Sequence, residues 1–202
     1  MKEETRLYFD YVLANNRPIQ EFIQSDYSFV NRYMADLYGF EGVKGDHFRK
    51  VRFADRKVRG GILGHASILT ATSNGVETSP VIRGIWILEN ILGTPPSPPP
   101  PDVDPLEPDI RGATTIREQL QKHRKVETCY ECHRKIDPLG FALESYDPIG
   151  RYRAAYRDDR GRMTNRIETS GELPSGESFE NVAELKGILL ERSDLFTHCL
   201  TE

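Results

Sequence analysis

Cys129-Tyr130-Glu131-Cys132-His133 is the segment of this 202-residue chain whose residue types and spacing could do chemistry. Residues three or four apart on a helix share a face, about one turn apart. Two thiols so placed can add to the two vinyl groups along one edge of a haem, giving thioethers. The histidine that follows projects on the same face and reaches the iron as its proximal ligand. Cys-x-x-Cys-His therefore reads as the attachment site of one covalent haem c. Two other chemistries use paired cysteines. A dithiol redox site expects a thioredoxin-like βαβ context, which the flanking pattern lacks. A structural zinc site needs a second ligand pair at similar spacing. The chain offers Cys199 and scattered histidines, with His198 and Cys199 adjacent rather than three apart.

The role of such an iron depends on its other side. A second strong protein ligand favours electron transfer, whereas an open position allows ligand binding or catalysis. His123 falls on the apolar stripe of Ile116 and Leu120 and is the first candidate for the distal ligand. In a continuous helix it would sit about 15 Å from His133, so it needs a chain break to approach. His65, in Gly64-His65-Ala66-Ser67, and Met163, in the polar stretch from Asp158 to Arg166, are the alternatives. Each also has an ordinary reading, as a hydrogen-bonded core histidine or an exposed loop methionine. Arg151 and Arg153 could pair with haem propionates through bidentate contacts, or simply be solvated. Phe141, with Leu139, Leu143 and Tyr146, is expected to wall the haem. Cys199 reads as a buried free thiol in a C-terminal helix.

The elements that must position these groups are mostly helices. Leu7, Tyr8, Tyr11 and Val12 recur at helical spacing up to Asn15-Asn16. Ile19 to Ile23 makes a short second helix, and Phe29, Val30, Tyr33, Met34 and Leu37 a third, stopped by Gly39. Phe48, Val51 and Phe53 beside Asp55-Arg56-Lys57 suggest a short hairpin. Ile62 to Thr72 is helical. Ser79-Pro80 opens the next helix with an N-cap and a proline at its first position, and Gly93 closes it. Thr115-Ile116-Arg117-Glu118 has the form of a capping box, opening a helix to about Val126. Thr128-Cys129-Tyr130-Glu131 repeats the form, which predicts a break at Glu127-Thr128 and a new helix carrying Cys129, Cys132 and His133.

Between the two groups of helices lies Thr94-Pro95-Pro96-Ser97-Pro98-Pro99-Pro100-Pro101, with Pro105 and Pro108 beyond it. Proline fixes φ and removes a donor, so this tract reads as a polyproline II strap along the protein's own surface, or a ligand for SH3 or WW modules. The expected fold class is mainly α. A helical part (1–93) is joined by the strap (94–110) to a cytochrome-c-like haem segment (111–202), with a minor short β-hairpin.

Composition sets the outer bounds. With 27 Lys plus Arg, 31 Asp plus Glu and a net charge of −4, a nucleic-acid-binding surface covering the whole protein is not expected, nor a nucleic-acid partner. At 38% hydrophobic and 29% charged it is too apolar for a disordered chain, and no apolar run approaches the ~20 residues of a membrane span. Three cysteines are too few for a disulfide scaffold.

Several longer stretches carry a family resemblance. They are Arg59-Gly60-Gly61-Ile62-Leu63-Gly64-His65-Ala66-Ser67, Thr78-Ser79-Pro80-Val81, Arg83-Gly84-Ile85-Trp86, Leu92-Gly93-Thr94-Pro95-Pro96 and His123-Arg124. The haem motif, Asp137-Pro138-Leu139-Gly140-Phe141-Ala142-Leu143-Glu144, Gly150-Arg151-Tyr152-Arg153 and Ser170-Gly171-Glu172-Leu173-Pro174 complete the set. Together they resemble the large extracytoplasmic cytochrome-like proteins typical of planctomycetes, built of consecutive domains of unknown function. The resemblance implies a c-type haem and a periplasmic or cell-surface location, and names no reaction. Met1-Lys2-Glu3-Glu4 does not read as a signal peptide, and the chain is therefore expected to be a fragment of a longer exported precursor, truncated at its C-terminus. The expected function is a monohaem c-type cytochrome module passing single electrons between donor and acceptor proteins. The alternatives are a five-coordinate haem enzyme or sensor, peroxidase-like, and a structural domain stapled by haem or zinc.

Overall fold

The computed structural model describes residues 1–53, 56–97, 115–123, 127–158 and 160–201. Chain order begins with α1 (Lys2–Ala14), a 3-10 turn (Ile19–Phe22), β1 (Tyr27–Val30), α2 (Arg32–Tyr38), β2 (Arg49–Arg52) and α3 (Arg56–Arg59). A second 3-10 turn (Ile62–Gly64) leads to α4 (Ala66–Ala71) and α5 (Pro80–Asn90). Then come α6 (Ile116–His123), α7 (Glu127–Ala142), β3 (Ala155–Arg157), β4 (Met163–Arg166), β5 (Gly171–Glu172), β6 (Ser178–Phe179), α8 (Val182–Glu191) and α9 (Ser193–Thr201). The strands form three two-stranded antiparallel ribbons, β1–β2, β3–β4 and β5–β6. The fold is mainly α, as the periodicity predicts. No helix among the described residues is long and apolar enough to cross a membrane.

Local chemistry explains where the helices start. Ser79 Oγ accepts from the Ile82 N–H at 3.3 Å, and Pro80 takes the first helical position of α5. Asn31 Oδ1 accepts from the Met34 N–H at 3.1 Å, which sets the start of α2. That cap corrects one expectation, because Phe29 and Val30 lie before it in β1, not in the helix. Their strand pairs with β2 in the register Tyr27↔Arg52 and Val30↔Arg49. The local hairpin expected around Phe48 to Phe53 is therefore a long-range pairing, and Arg56–Arg59 is helical instead of a turn. Two further corrections are smaller. The segment from Ile62 to Thr72 is broken at His65, whose ψ of 128° is extended. The stretch around Met163 is a hairpin, with Arg157 opposite Met163. The polyproline strap falls almost wholly outside the described residues.

The core is continuous across the proline tract. Tyr8 and Val12 of α1, Leu69 of α4, Ile87 of α5, Leu139 of α7, Leu185 of α8 and Phe196 of α9 belong to one buried cluster. Each such side chain contributes roughly 1.5–3 kcal/mol by leaving water. A smaller cluster of Val30, Met34, Ala35 and Ala66 sits under the β1–β2 ribbon.

Charged groups are buried beside this core. Glu4 is fully buried and accepts from Ser28 Oγ (2.8 Å) and Tyr38 Oη (2.6 Å). Burial pushes its carboxyl up to about 7, against the pull of those two hydrogen bonds. His65 is 1% exposed, with Nδ1 3.0 Å from Thr5 Oγ1 and its ring edge-on to Tyr8 at 4.9 Å. Burial, with the Lys186 and Arg59 cations nearby, pushes the imidazole down to about 3. The two groups act in opposite directions. The unfolded chain takes up a proton at His65 that the fold refuses, so this contribution falls as pH drops below about 6.5. The fold holds a proton on Glu4 that the unfolded chain releases above about 4.5, so that contribution falls as pH rises towards 7. Glu4→Gln removes the second slope. Denaturant unfolding of this variant should show stability rising continuously from pH 4.5 to 6.5, where the parent is flatter.

Candidate functional site

The site is carried by α7, sequence Glu-Thr-Cys-Tyr-Glu-Cys-His-Arg-Lys-Ile-Asp-Pro-Leu-Gly-Phe-Ala. α7 begins at Glu127 and runs through Thr128, so the break expected at Glu127-Thr128 does not fall there; residues 124–126, between α6 and α7, lie outside the described residues. The helix then runs through Pro138, which removes one backbone donor and crowds the preceding turn. Packing against α5 compensates for it. A Cβ on Gly140 would come within 1.8 Å of the Pro80 carbonyl oxygen, and one on Gly84 within 2.0 Å of the Ile136 carbonyl oxygen. Each helix thus presents a glycine to the other's backbone, and the two lie closer than any side chain would allow.

Arg83, beside that crossing on α5, is fully buried. Its Nη1 donates to the carbonyls of Leu143 and Tyr146, both at 2.8 Å. Its Nη2 donates to Asp147 O (3.1 Å), Leu69 O (3.3 Å) and Ser73 Oγ (3.4 Å). One guanidinium therefore closes the end of α7 and ties it to α4. Burial lowers its pKa to about 10, and it remains a cation. Glu144, just past α7, is also buried. Its Oε1 accepts from Thr78 Oγ1 (2.6 Å) and Arg153 Nη2 (2.9 Å), while burial raises its pKa.

On this fixed helix Cys129 is buried, Cys132 is half-buried against the central cluster, and both are free thiols. Tyr130 and Glu131, between them, are exposed. His133 follows, with a side chain 16% exposed and Nδ1 2.8 Å from Oδ1 of Asp137, whose side chain is fully buried. A carboxylate only accepts, so the imidazole donates from Nδ1. The sequence reading missed Asp137. The signal for it was a carboxylate four residues after the histidine on one helix face.

The remaining candidates separate. His65 is enclosed by Thr5 and Tyr8, at the start of α4. Met163 is 64% exposed on the β3–β4 hairpin. The side chain of His123 lies outside the described residues. Arg153, expected at a propionate, is engaged by Glu144, and Arg151 is exposed. Leu139, Leu143 and Tyr146 belong to the central core. Phe141 is 3% exposed and lines a cleft of about 410 Å³ together with Thr115, Arg117, Gln121, Tyr156 and Arg166. The Arg117 guanidinium stacks 3.9 Å over the Phe141 ring and donates to Ser170 O at 2.6 Å. Sequence reasoning missed Arg117 because its link to Phe141 is tertiary. Cys199 is half-buried rather than buried, its Sγ 3.2 Å from the Glu89 carbonyl oxygen. No group of three or more His, Cys, Asp or Glu side chains that could hold a metal ion is found among the described residues.

The crossing of α5 and α7 and the cysteine pair both fall within a recognised family segment. Residues 59–156 match PSCyt3, a protein family of unknown function (DUF1588). Residues 1–40 match a second family of unknown function, PSD4 (DUF1592). The two matches lie in succession, in keeping with the resemblance to proteins built of consecutive domains. The PSCyt3 segment contains Gly84, Arg83, α7, Glu144 and Arg153, so the helix crossing and its clamp form its centre. No curated protein and no solved structure matches the chain.

The glycine contacts give a matched pair of variants. Alanine normally stabilises a helix over glycine by about 1 kcal/mol. Gly187→Ala, on α8 where an added Cβ meets nothing within 4 Å, should raise the melting temperature. Gly140→Ala should lower it, since overpacking a core costs ~1–3 kcal/mol of stability. Thermal unfolding of both, followed by circular dichroism, checks the opposite signs.

Proposed function

We propose that the chain is a monohaem c-type cytochrome module that passes single electrons between a redox donor and an acceptor protein outside the cytoplasm. The observation that carries this reading is the donor set on α7. Two free thiols one helical turn apart are followed by a histidine whose Nδ1 is held by a buried carboxylate, leaving Nε2 as the nitrogen for iron. These residues fit haem c. When bound, haem c supplies one-electron Fe(III)/Fe(II) chemistry.

The protein's part is to hold and shield. Cys129 and Cys132 would form the thioethers and His133 the proximal bond. Phe141, with Arg117 stacked on it, would supply an apolar wall backed by a cation. The Arg83 clamp and the glycine crossing fix α7, so that the thiols and the imidazole keep one geometry. The extracytoplasmic location follows from the proposed attachment, because covalent haem attachment in bacteria takes place outside the cytoplasm.

A second reading is a five-coordinate haem enzyme or ligand sensor. It is favoured by the placement of two distal candidates. His65 is engaged by Thr5 and Tyr8, and Met163 points from an exposed ribbon.

Expression with haem-attachment machinery tests both. The matured chain should gain the mass of one haem and show the absorption spectrum of haem c. Cys129→Ser with Cys132→Ser should abolish covalent attachment. Colourless protein containing zinc would overturn the proposal. Ready binding of carbon monoxide to the ferrous form would favour the open, five-coordinate site over simple electron transfer. If His123 is the distal ligand, His123→Ala should convert a low-spin spectrum to high-spin, and an unchanged spectrum would exclude it.

A further inference from the structure

We propose that Asp137 is a positioning residue that sets the electron-donating strength of His133 and thereby holds the iron at a low reduction potential. The inference rests on the reading of His133 as the iron ligand and deepens it.

Four observations carry it. First, the contact is short and direct, 2.8 Å between His133 Nδ1 and Asp137 Oδ1. Second, the partner is a carboxylate side chain, not a neutral carbonyl, so the imidazole faces a full negative charge. Third, the Asp137 side chain is fully buried and that of His133 is 16% exposed, which limits screening of that charge by water. Fourth, the helix backbone is packed closely on both sides of Asp137. This residue sits mid-way along α7, between Ile136, whose carbonyl lies against Gly84, and Pro138, against which Gly171 packs. A Cβ added to Gly171 would come within 2.9 Å of the Pro138 Cβ. The glycine-packed crossing that fixes the helix therefore also fixes the carboxylate.

The consequence is electrostatic. A carboxylate that accepts the Nδ1 proton makes the imidazole a stronger donor through Nε2. A stronger donor stabilises Fe(III) more than Fe(II), so the reduction potential falls. Electrons balance simply: one arrives from a donor, one leaves to an acceptor, and the Nδ1 proton stays between imidazole and carboxylate. The donor must then be a strongly reducing one-electron carrier, and any acceptor of higher potential suffices.

Asp137→Asn tests this, because it keeps an oxygen for the Nδ1–H and removes only the charge. Equilibrium redox titration of the matured protein should show the Fe(III)/Fe(II) ratio at fixed ambient potential falling at least tenfold in the variant. For a one-electron couple this is a rise of about 59 mV. Glu131→Gln, which removes an exposed carboxylate from the same helix, should leave the potential within a small fraction of that shift. Equal potentials for Asp137→Asn and the parent, with haem attached to both, would overturn the proposal while leaving the haem reading intact.

A second measurement needs no variant and no haem. Nitrogen-15 NMR of the unloaded parent chain should report His133 protonated at Nδ1, and protonation at Nε2 alone would overturn the proposal even if Asp137→Asn fails to fold. A parent that takes up no haem under maturation would overturn the functional reading, and the inference with it, marking the His133–Asp137 contact as structural.

Discussion

The structure depends on the close crossing of α5 and α7. Two glycines, Gly84 and Gly140, let each helix lay its backbone on the other's, within a distance that a single methyl group would prevent. Backbone contact at that range fixes rotation and translation together, since sliding either helix by one residue would bring a side chain into the gap. The crossing also joins the parts of the chain on either side of the proline tract, so its packing decides whether one core forms or two. Arg83 completes the lock. Its five acceptors come from α4, the turn after α4 and the turn that follows α7, and no neutral side chain could donate to all of them. Leaving those carbonyls unpaired would cost about 1–3 kcal/mol each.

Several unfavourable features are tolerated because of that lock. A proline inside α7 costs about 3 kcal/mol in an isolated helix, and buried Asp137 and Glu144 would each be expensive alone. Pro138 is sealed by Gly171, Asp137 is paired with His133, and Glu144 is paired with Thr78 and Arg153. The strained and charged positions thus gather around the helix that carries the cysteine pair. Such a concentration is the expected sign of a site whose geometry matters more than its local stability.

The parts of this arrangement that were legible in the sequence are those written in local pattern. Ser79-Pro80 marks the start of α5, Thr115 to Glu118 marks the start of α6, and the spacing of Cys129, Cys132 and His133 places them within one turn of α7. Tertiary pairing was not legible. Tyr27–Val30 has the apolar content of a helix start, and only its pairing with Arg49–Arg52 makes it a strand. Arg153 looked suited to an external anion because nothing local shows that Glu144 is buried and waiting for it. Gly84 and Gly140 read as neutral interruptions of helical pattern, since the close approach they permit involves residues more than fifty positions apart. Asp137 lies between these cases. Its spacing from His133 is local, but its burial, which gives the contact its strength, comes from the packing of α7 on α5.

Two histidines illustrate how far burial alone fails to define a site. His65 is the more buried, yet its ring meets a threonine hydroxyl and the edge of a tyrosine, and burial, with cations nearby, holds it neutral. Such surroundings favour a histidine that packs. His133 is partly exposed, and its Nδ1 is tied to a buried carboxylate, which orients the ring. An iron-binding histidine, the role proposed for His133, needs one nitrogen immobilised in this way. It also needs the thiols in front of it to keep their spacing, which the crossing of α5 and α7 enforces. The same rigidity would serve electron transfer directly, because a ligand that does not move between oxidation states adds little to the reorganisation each electron requires.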